Sequence, residues 1–153
     1  MKRILVPMSS LVSAYEAADY VAQVASILHA EVHVLHVFED EESRKECSDV
    51  FQMFEMACEE NNIKVRKAVA VGSIVDEINR YAEAYQVNLV LMGASNGLVV
   101  DEWLSHKVLG HSTVPVLVMP YEMFEFPIEQ PELATSEASK SWNFLNFFSA
   151  WRS

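Results

Sequence analysis

The sequence is short of glycine, proline, cysteine and positive charge, and each shortage narrows what the chain can be. Four glycines and five prolines among 153 residues rule out a collagenous or linker-like chain, and 51% hydrophobic content reads as globular. Only 11 Lys and Arg stand against 22 Asp and Glu, a formal charge of −11. Such a surface repels phosphate, so nucleic acid is not an expected partner, whereas basic proteins are compatible with it. No apolar run reaches the roughly eighteen residues that a membrane span needs. The opening Met1-Lys2-Arg3-Ile4-Leu5-Val6 has the charged edge of a signal peptide, but Pro7, Ser9 and Ser10 cut its apolar run short. A cytoplasmic location is the expectation.

Cysteine is equally scarce. Cys47 and Cys58 fall in one helical segment, where about 1.5 Å of rise per residue puts them roughly 16 Å apart, too far for a disulfide. Both are expected to pack as small hydrophobes. A chain of this length supports one domain that buries roughly 70% of its unfolded surface.

What is present is alternation. Ile4 to Met8, Glu31 to Phe38, Lys64 to Val71, Val87 to Met92 and Val114 to Met119 read as strands. Between them, Ala14, Ala17, Ala18, Val21, Ala25 and Leu28 recur at helical spacing, as do Cys47, Val50, Phe51, Phe54 and Cys58. Gly72 permits a turn, and Ser73 with Asp76 is placed as a capping box for a third helix. Ile74, Ile78, Tyr81, Ala82 and Tyr85 are expected to form its buried stripe; a fourth helix spans Asp101 to His111. The order βαβαβαβαβ, with strands apolar on both faces, predicts an α/β fold: a doubly wound parallel sheet with any ligand at the carboxyl ends of its strands. No internal repeat occurs.

Four segments resemble the universal stress protein family. They are Lys2-Arg3-Ile4-Leu5-Val6-Pro7, Val71-Gly72-Ser73-Ile74-Val75-Asp76-Glu77-Ile78, Asn88-Leu89-Val90-Leu91-Met92-Gly93-Ala94-Ser95, and the stretch from Lys107 to Val118. The resemblance covers residues 1–120 and leaves 121–153 as an extension. It implies a five-stranded sheet in the order 3-2-1-4-5 and a homodimer formed through the last strand, so Val114, Val116 and Val118 are candidate interface residues. It also implies a choice between a subtype that binds ATP or AMP and one that does not. The binding subtype carries an Asp after the first strand and a loop G-x2-G-x9-G-[ST].

Glycines in such a loop let backbone amides approach phosphates, and the next helix start adds partial positive charge. This sequence departs from the pattern. Ser9 stands where Asp is expected, Gly93 and Gly97 are one residue too widely spaced, and Glu102-Trp103 replace Gly-Ser or Gly-Thr. Asp101 and Glu102 at a helix start satisfy the dipole themselves and repel a polyphosphate. The resemblance is therefore to the non-ATP-binding subtype, with no cofactor expected. Should an adenine nucleotide bind, Pro7, Ser9, Val37, Met92, Gly93, Asn96 and Gly97 are the residues placed to line it. His33 and His36 alternate across a strand and cannot chelate one metal together; a structural role is expected. No nucleophile–base pair, Walker loop or metal cluster stands out, so catalysis is not expected. His106 beside Glu102 at helical spacing reads as a surface pair.

The extension differs in character. Residues 120–131 combine glutamates, prolines and Tyr121, Phe124 and Phe126, which suits an extended run along a surface. Phe144, Phe147, Phe148 and Trp151 then recur at i, i+3, i+4 and i+7, with Trp142 and Leu145 widening the face of a short helix. Such a helix is marginal alone and should seek a partner surface. Three dockings are open: its own domain or a dimer partner, another protein's groove, or a membrane, for which only Lys140 and Arg152 supply positive charge. The functional expectation is a non-enzymatic stress-response or regulatory protein acting through dimerisation and protein contacts; the alternative is an adenine-nucleotide sensor.

Overall fold

Strands buried on both faces force the chain to cover its sheet twice, and the order of elements shows how. The computed structural model of the chain describes residues 1–8, 11–38, 47–93 and 104–119. These form β1 (Lys2–Pro7), α1 (Leu11–Leu28), β2 (Ala30–Phe38), α2 (Cys47–Glu59), β3 (Val65–Val71), α3 (Ile74–Ala84), β4 (Leu89–Gly93), α4 (Leu104–His111) and β5 (Val116–Met119). The five strands make one sheet in the order β3-β2-β1-β4-β5, with every pairing parallel, as the alternation and the resemblance predict. Right-handed crossovers put α1 and α2 on one face and α3 and α4 on the other. On the second face Leu5, Leu35, Val37, Val90 and Met92 pack with Ile78 and Ala82 of α3 and Val108 of α4. Among the described residues no helix is long and apolar enough to cross a membrane.

Scarce glycine has a structural consequence. Three chain reversals need positive φ, and His29 (51°), Asn62 (55°) and Gln86 (51°) supply it. At the end of α3 the Gln86 N–H reaches the Glu83 carbonyl at 3.2 Å, and the Val87 N–H reaches the Ala82 carbonyl at 2.9 Å. That is a Schellman cap whose αL position is usually glycine. An L-residue there costs about 1–2 kcal/mol, of which glycine's greater unfolded entropy offsets about 0.5–1. Gln86 is exposed, so Gln86→Gly removes no packing. The variant is expected to gain roughly 0.5–1 kcal/mol and to melt about 1–4 °C higher by calorimetry; an unchanged or lower Tm would show that the αL cost is already relieved.

Several boundaries differ from the sequence reading. β5 begins at Val116 rather than Val114: Pro115 has no N–H to give a ladder, and Ser112 Oγ both donates to the Val114 carbonyl at 2.8 Å and accepts from its N–H at 3.2 Å. β4 begins at Leu89, just after Asn88, which already bonds to β1: its N–H donates to the Arg3 carbonyl at 2.9 Å and its Oδ1 accepts from the Arg3 N–H at 2.8 Å. Ser73 is the N-cap of α3, yet its side chain makes no capping bond. Asp76 and Glu77 in the first turn supply negative charge to the helix start instead. In the α3 stripe Ile78 and Ala82 are buried, whereas Ile74, Tyr81 and Tyr85 are only half-buried.

Candidate functional site

Two places in this fold gather side chains that chemistry could use, and they lie at opposite ends of the sheet. The first is the carboxyl end of β1 and β4, where strand order reverses and α/β sheets take ligands. Pro7 ends β1, Val37 is next to last in β2, and Met92 and Gly93 end β4, so those candidates are brought to one edge. Val37 and Met92 are buried and belong to the core cluster. Gly93 is exposed, and a Cβ built on it meets nothing within 4 Å. Ser9, Asn96 and Gly97 lie outside the described residues, as do Asp101, Glu102 and Trp103 and the extension that carries Trp142, Phe144, Phe147, Phe148 and Trp151.

The second place, at the amino ends of the strands, was not foreseen as a site. Glu31 and His33 sit two apart on β2, so their side chains share a face. Glu31 Oε1 accepts from Arg3 Nε at 3.1 Å and lies 2.9 Å from Nε2 of the fully buried His33. The other ring nitrogen, Nδ1, is 3.0 Å from the Tyr81 hydroxyl on α3. An ionised carboxylate only accepts, so Nε2 carries the proton; in the neutral ring Nδ1 is then the acceptor for the Tyr81 O–H. The hydrogen bond from His33, aided by Arg3, holds the Glu31 carboxyl below its ordinary value of 4.5, although partial burial works the other way. Burial pushes the Tyr81 hydroxyl up.

Around this relay the rings order themselves. Tyr81 and Tyr85 stack at 4.3 Å, both meet the His33 ring edge-on, and the Arg66 guanidinium sits 4.7 Å over the Tyr85 ring. Arg3 also donates to the Tyr85 carbonyl at 2.8 Å. Tyr81, Tyr85, Arg66 and Arg80 line an open groove of about 410 Å³ between β3 and α3. The signal for it in the sequence was the tyrosine pair at i, i+4 on α3 together with the basic run Lys64, Arg66, Lys67.

Other candidates resolve simply. His36 is fully buried on the opposite face from His33, with its ring 4.7 Å from that of Phe38. Both cysteines are free thiols, and burial lifts the Cys58 thiol to about 11, which makes it a poor nucleophile. Among the described residues no group of three or more His, Cys, Asp or Glu could hold a metal.

Comparison with known proteins settles the family. The model of the universal stress protein family matches residues 1–120. The chain belongs to that family. Solved universal stress proteins share its fold. One in complex with cAMP has a TM-score of 0.66 at 15% identity, over 77% of this chain and 95% of that one. A family protein from Arabidopsis thaliana with AMP bound has a TM-score of 0.63 at 16% identity, over 84% and 97%. A universal stress protein from Archaeoglobus fulgidus reaches 28% identity with a TM-score of 0.63, covering 78% of this chain and 44% of its own. No curated protein matches the chain. At these identities the likeness to solved structures speaks for fold, and the question of ligand returns to this chain's own residues.

Proposed function

We propose that this universal stress protein is a non-enzymatic regulatory protein that acts through dimerisation and protein contacts, and that its switch-point loop binds nucleotide poorly. The observation that carries this reading is the loop's length and charge. Between Gly97 and Glu102 stand only Leu98, Val99, Val100 and Asp101, where the nucleotide-binding pattern has nine residues. A span that short offers fewer backbone amides to a polyphosphate, and its two carboxylates repel what the amides would attract. Ser9 in place of Asp removes the acidic group expected near ribose or metal. Residues 1–120 form the family domain in this reading, and 121–153 are a contact arm whose aromatic face, Trp142, Phe144, Phe147, Phe148 and Trp151, binds protein rather than membrane. The work is done in the cytoplasm.

ATP with magnesium is expected to bind with a dissociation constant weaker than about 100 μM, or about 5.5 kcal/mol. Titration calorimetry on the full chain reads this directly, and low-micromolar binding would overturn it. The second reading, an adenine-nucleotide sensor, is favoured by solved family members whose structures hold cAMP, dAMP and AMP. Mass spectrometry of the denatured purified protein separates the two: a co-purifying adenine nucleotide would favour the sensor.

A further inference from the structure

β3 is an edge strand whose free side is open in backbone, in side chains and in charge. Lys64 accepts from the Val32 N–H through its carbonyl, and Gly72 donates to the Phe38 carbonyl, each at one end of β3. In a parallel ladder a residue directs both its N–H and its C=O to the same side, and the side alternates. Even-numbered residues of β3 therefore bond to β2, while Val65, Lys67, Val69 and Val71 aim theirs outward. Among the described residues no strand pairs with that side.

Side chains alternate as well. Arg66, Ala68 and Ala70 face α3, as the Arg66–Tyr85 contact and the packing of Ala68 and Ala70 show. Lys67, Val69 and Val71 face the α2 side, where Lys67 Nζ is 2.6 Å from Glu55 Oε1. Val69 and Val71 are 53% and 75% exposed. Edge strands are usually guarded by proline, bulges or free charges. β3 has an unbroken register with β2 from Val65 to Val71 and no proline, and the charge of Lys67 is already matched by Glu55.

We propose that β3 takes an extended acidic segment of another protein as a sixth strand, one in which acidic and apolar residues alternate. Its acidic side chains would lie over the α3 face, where Arg66 and Arg80 line the groove. Glu77, the one carboxylate lining the groove among the described residues, is held by Arg80 Nη1 at 3.0 Å. Its apolar side chains would cover Val69 and Val71. Charge selects the occupant: a second copy of β3 would set Arg66 against itself, whereas a carboxylate meets Arg66 and Arg80, the two cationic side chains on the α3 side of the groove, in a chain of net charge −11. Backbone pairing supplies affinity and the alternating pockets supply specificity, as in other strand additions.

The test is a fluorescence anisotropy titration of the full chain with a labelled peptide of alternating glutamate and valine, seven residues long to match β3. Saturable binding below about 1 mM that weakens with salt is expected, with a lysine–valine peptide failing to bind. Val69→Pro deletes an outward N–H without touching the ladder to β2 and should weaken binding at least tenfold. Arg66→Glu with Arg80→Glu should do the same. A peptide N-methylated at alternate residues makes the backbone test on the unaltered protein and should lose binding in one of its two registers. No saturation by 1 mM would overturn the proposal. So would binding indifferent to both Val69→Pro and N-methylation, or an oligonucleotide of equal charge binding as tightly, since either would reduce the groove to plain anion attraction.

Discussion

Glu31→Ala is expected to lower the melting temperature by about 6–12 °C, although Glu31 is the one residue of β2 that is only partly buried. Its side chain is 13% exposed and accepts bonds from two directions, Arg3 Nε and His33 Nε2. Removing it leaves the ring of a fully buried histidine with an uncompensated donor and leaves Arg3 without its counter-charge. Breaking one side of such a buried pair costs about 3–5 kcal/mol. The lower figure applies here, because Arg3 is partly solvated and retains its bond to the Tyr85 carbonyl. At 2–4 °C per kcal/mol for about 150 residues, the shift follows. Lys64, 3.8 Å away and 76% exposed, contributes little to it.

The same group fixes an acid limb. Its folded pKa is depressed below 4.5, so its stabilisation is fully present above that value and is lost as pH falls through the lower folded value. Glu31→Ala should therefore flatten the loss of stability below about pH 4.5 as well as lower the neutral Tm. Adding His33→Phe to Glu31→Ala should recover part of the loss, since an apolar ring keeps the edge-on packing against Tyr81 and Tyr85 and needs no acceptor. A Tm drop under about 2 °C for the single variant would mean that water substitutes for the carboxylate and that the relay holds nothing in place.

That relay also marks the limit of what the sequence discloses. Alternation of strand and helix is local, so the five strands, the doubly wound order and the opposite faces of His33 and His36 are legible from residues a few positions apart. The pairing of Glu31 with His33 is local too, but its meaning comes from Arg3 and Tyr81, 28 and 48 residues away along the chain from Glu31 and His33 respectively. Helical periodicity puts Tyr81 and Tyr85 on the core-facing stripe of α3, but the burial expected of them is only partial. It could not show that this end of α3 overhangs an edge strand with small Ala68 and Ala70, which leaves both rings half-open to a groove. Ser73 fell at the cap position but its side chain is unused, because cap identity is local whereas cap geometry depends on how β3 delivers the chain through Gly72 at φ 140°. Pro7, Val37, Met92 and Gly93 reach the carboxyl end of the sheet as read, since strand ends follow directly from the parallel order.

The opposite edge of the sheet carries the largest effect on assembly. The Val90 N–H donates to the Pro115 carbonyl at 2.9 Å, so odd-numbered residues of this segment bond to β4. By alternation Val116 and Val118 direct their N–H and C=O groups to the free side of β5. In the proposed homodimer these groups pair with their equivalents across a twofold axis, so each lost bond is lost twice. Val118→Pro removes one outward donor, leaves the ladder to β4 whole and places a ring where the partner strand must approach. Each buried carbonyl left without its donor costs about 1–3 kcal/mol, and two of them cost about 2–6, which corresponds to a dimer weaker by on the order of 10² or more. Sedimentation of the full chain at micromolar concentration should show a dimer that Val118→Pro converts to monomer, while Val69→Pro on the β3 edge leaves it a dimer. A wild-type monomer would overturn the dimer itself; a dimer that survives Val118→Pro but dissociates with Val69→Pro would move the self-association surface to the β3 edge and take the acidic-strand site with it.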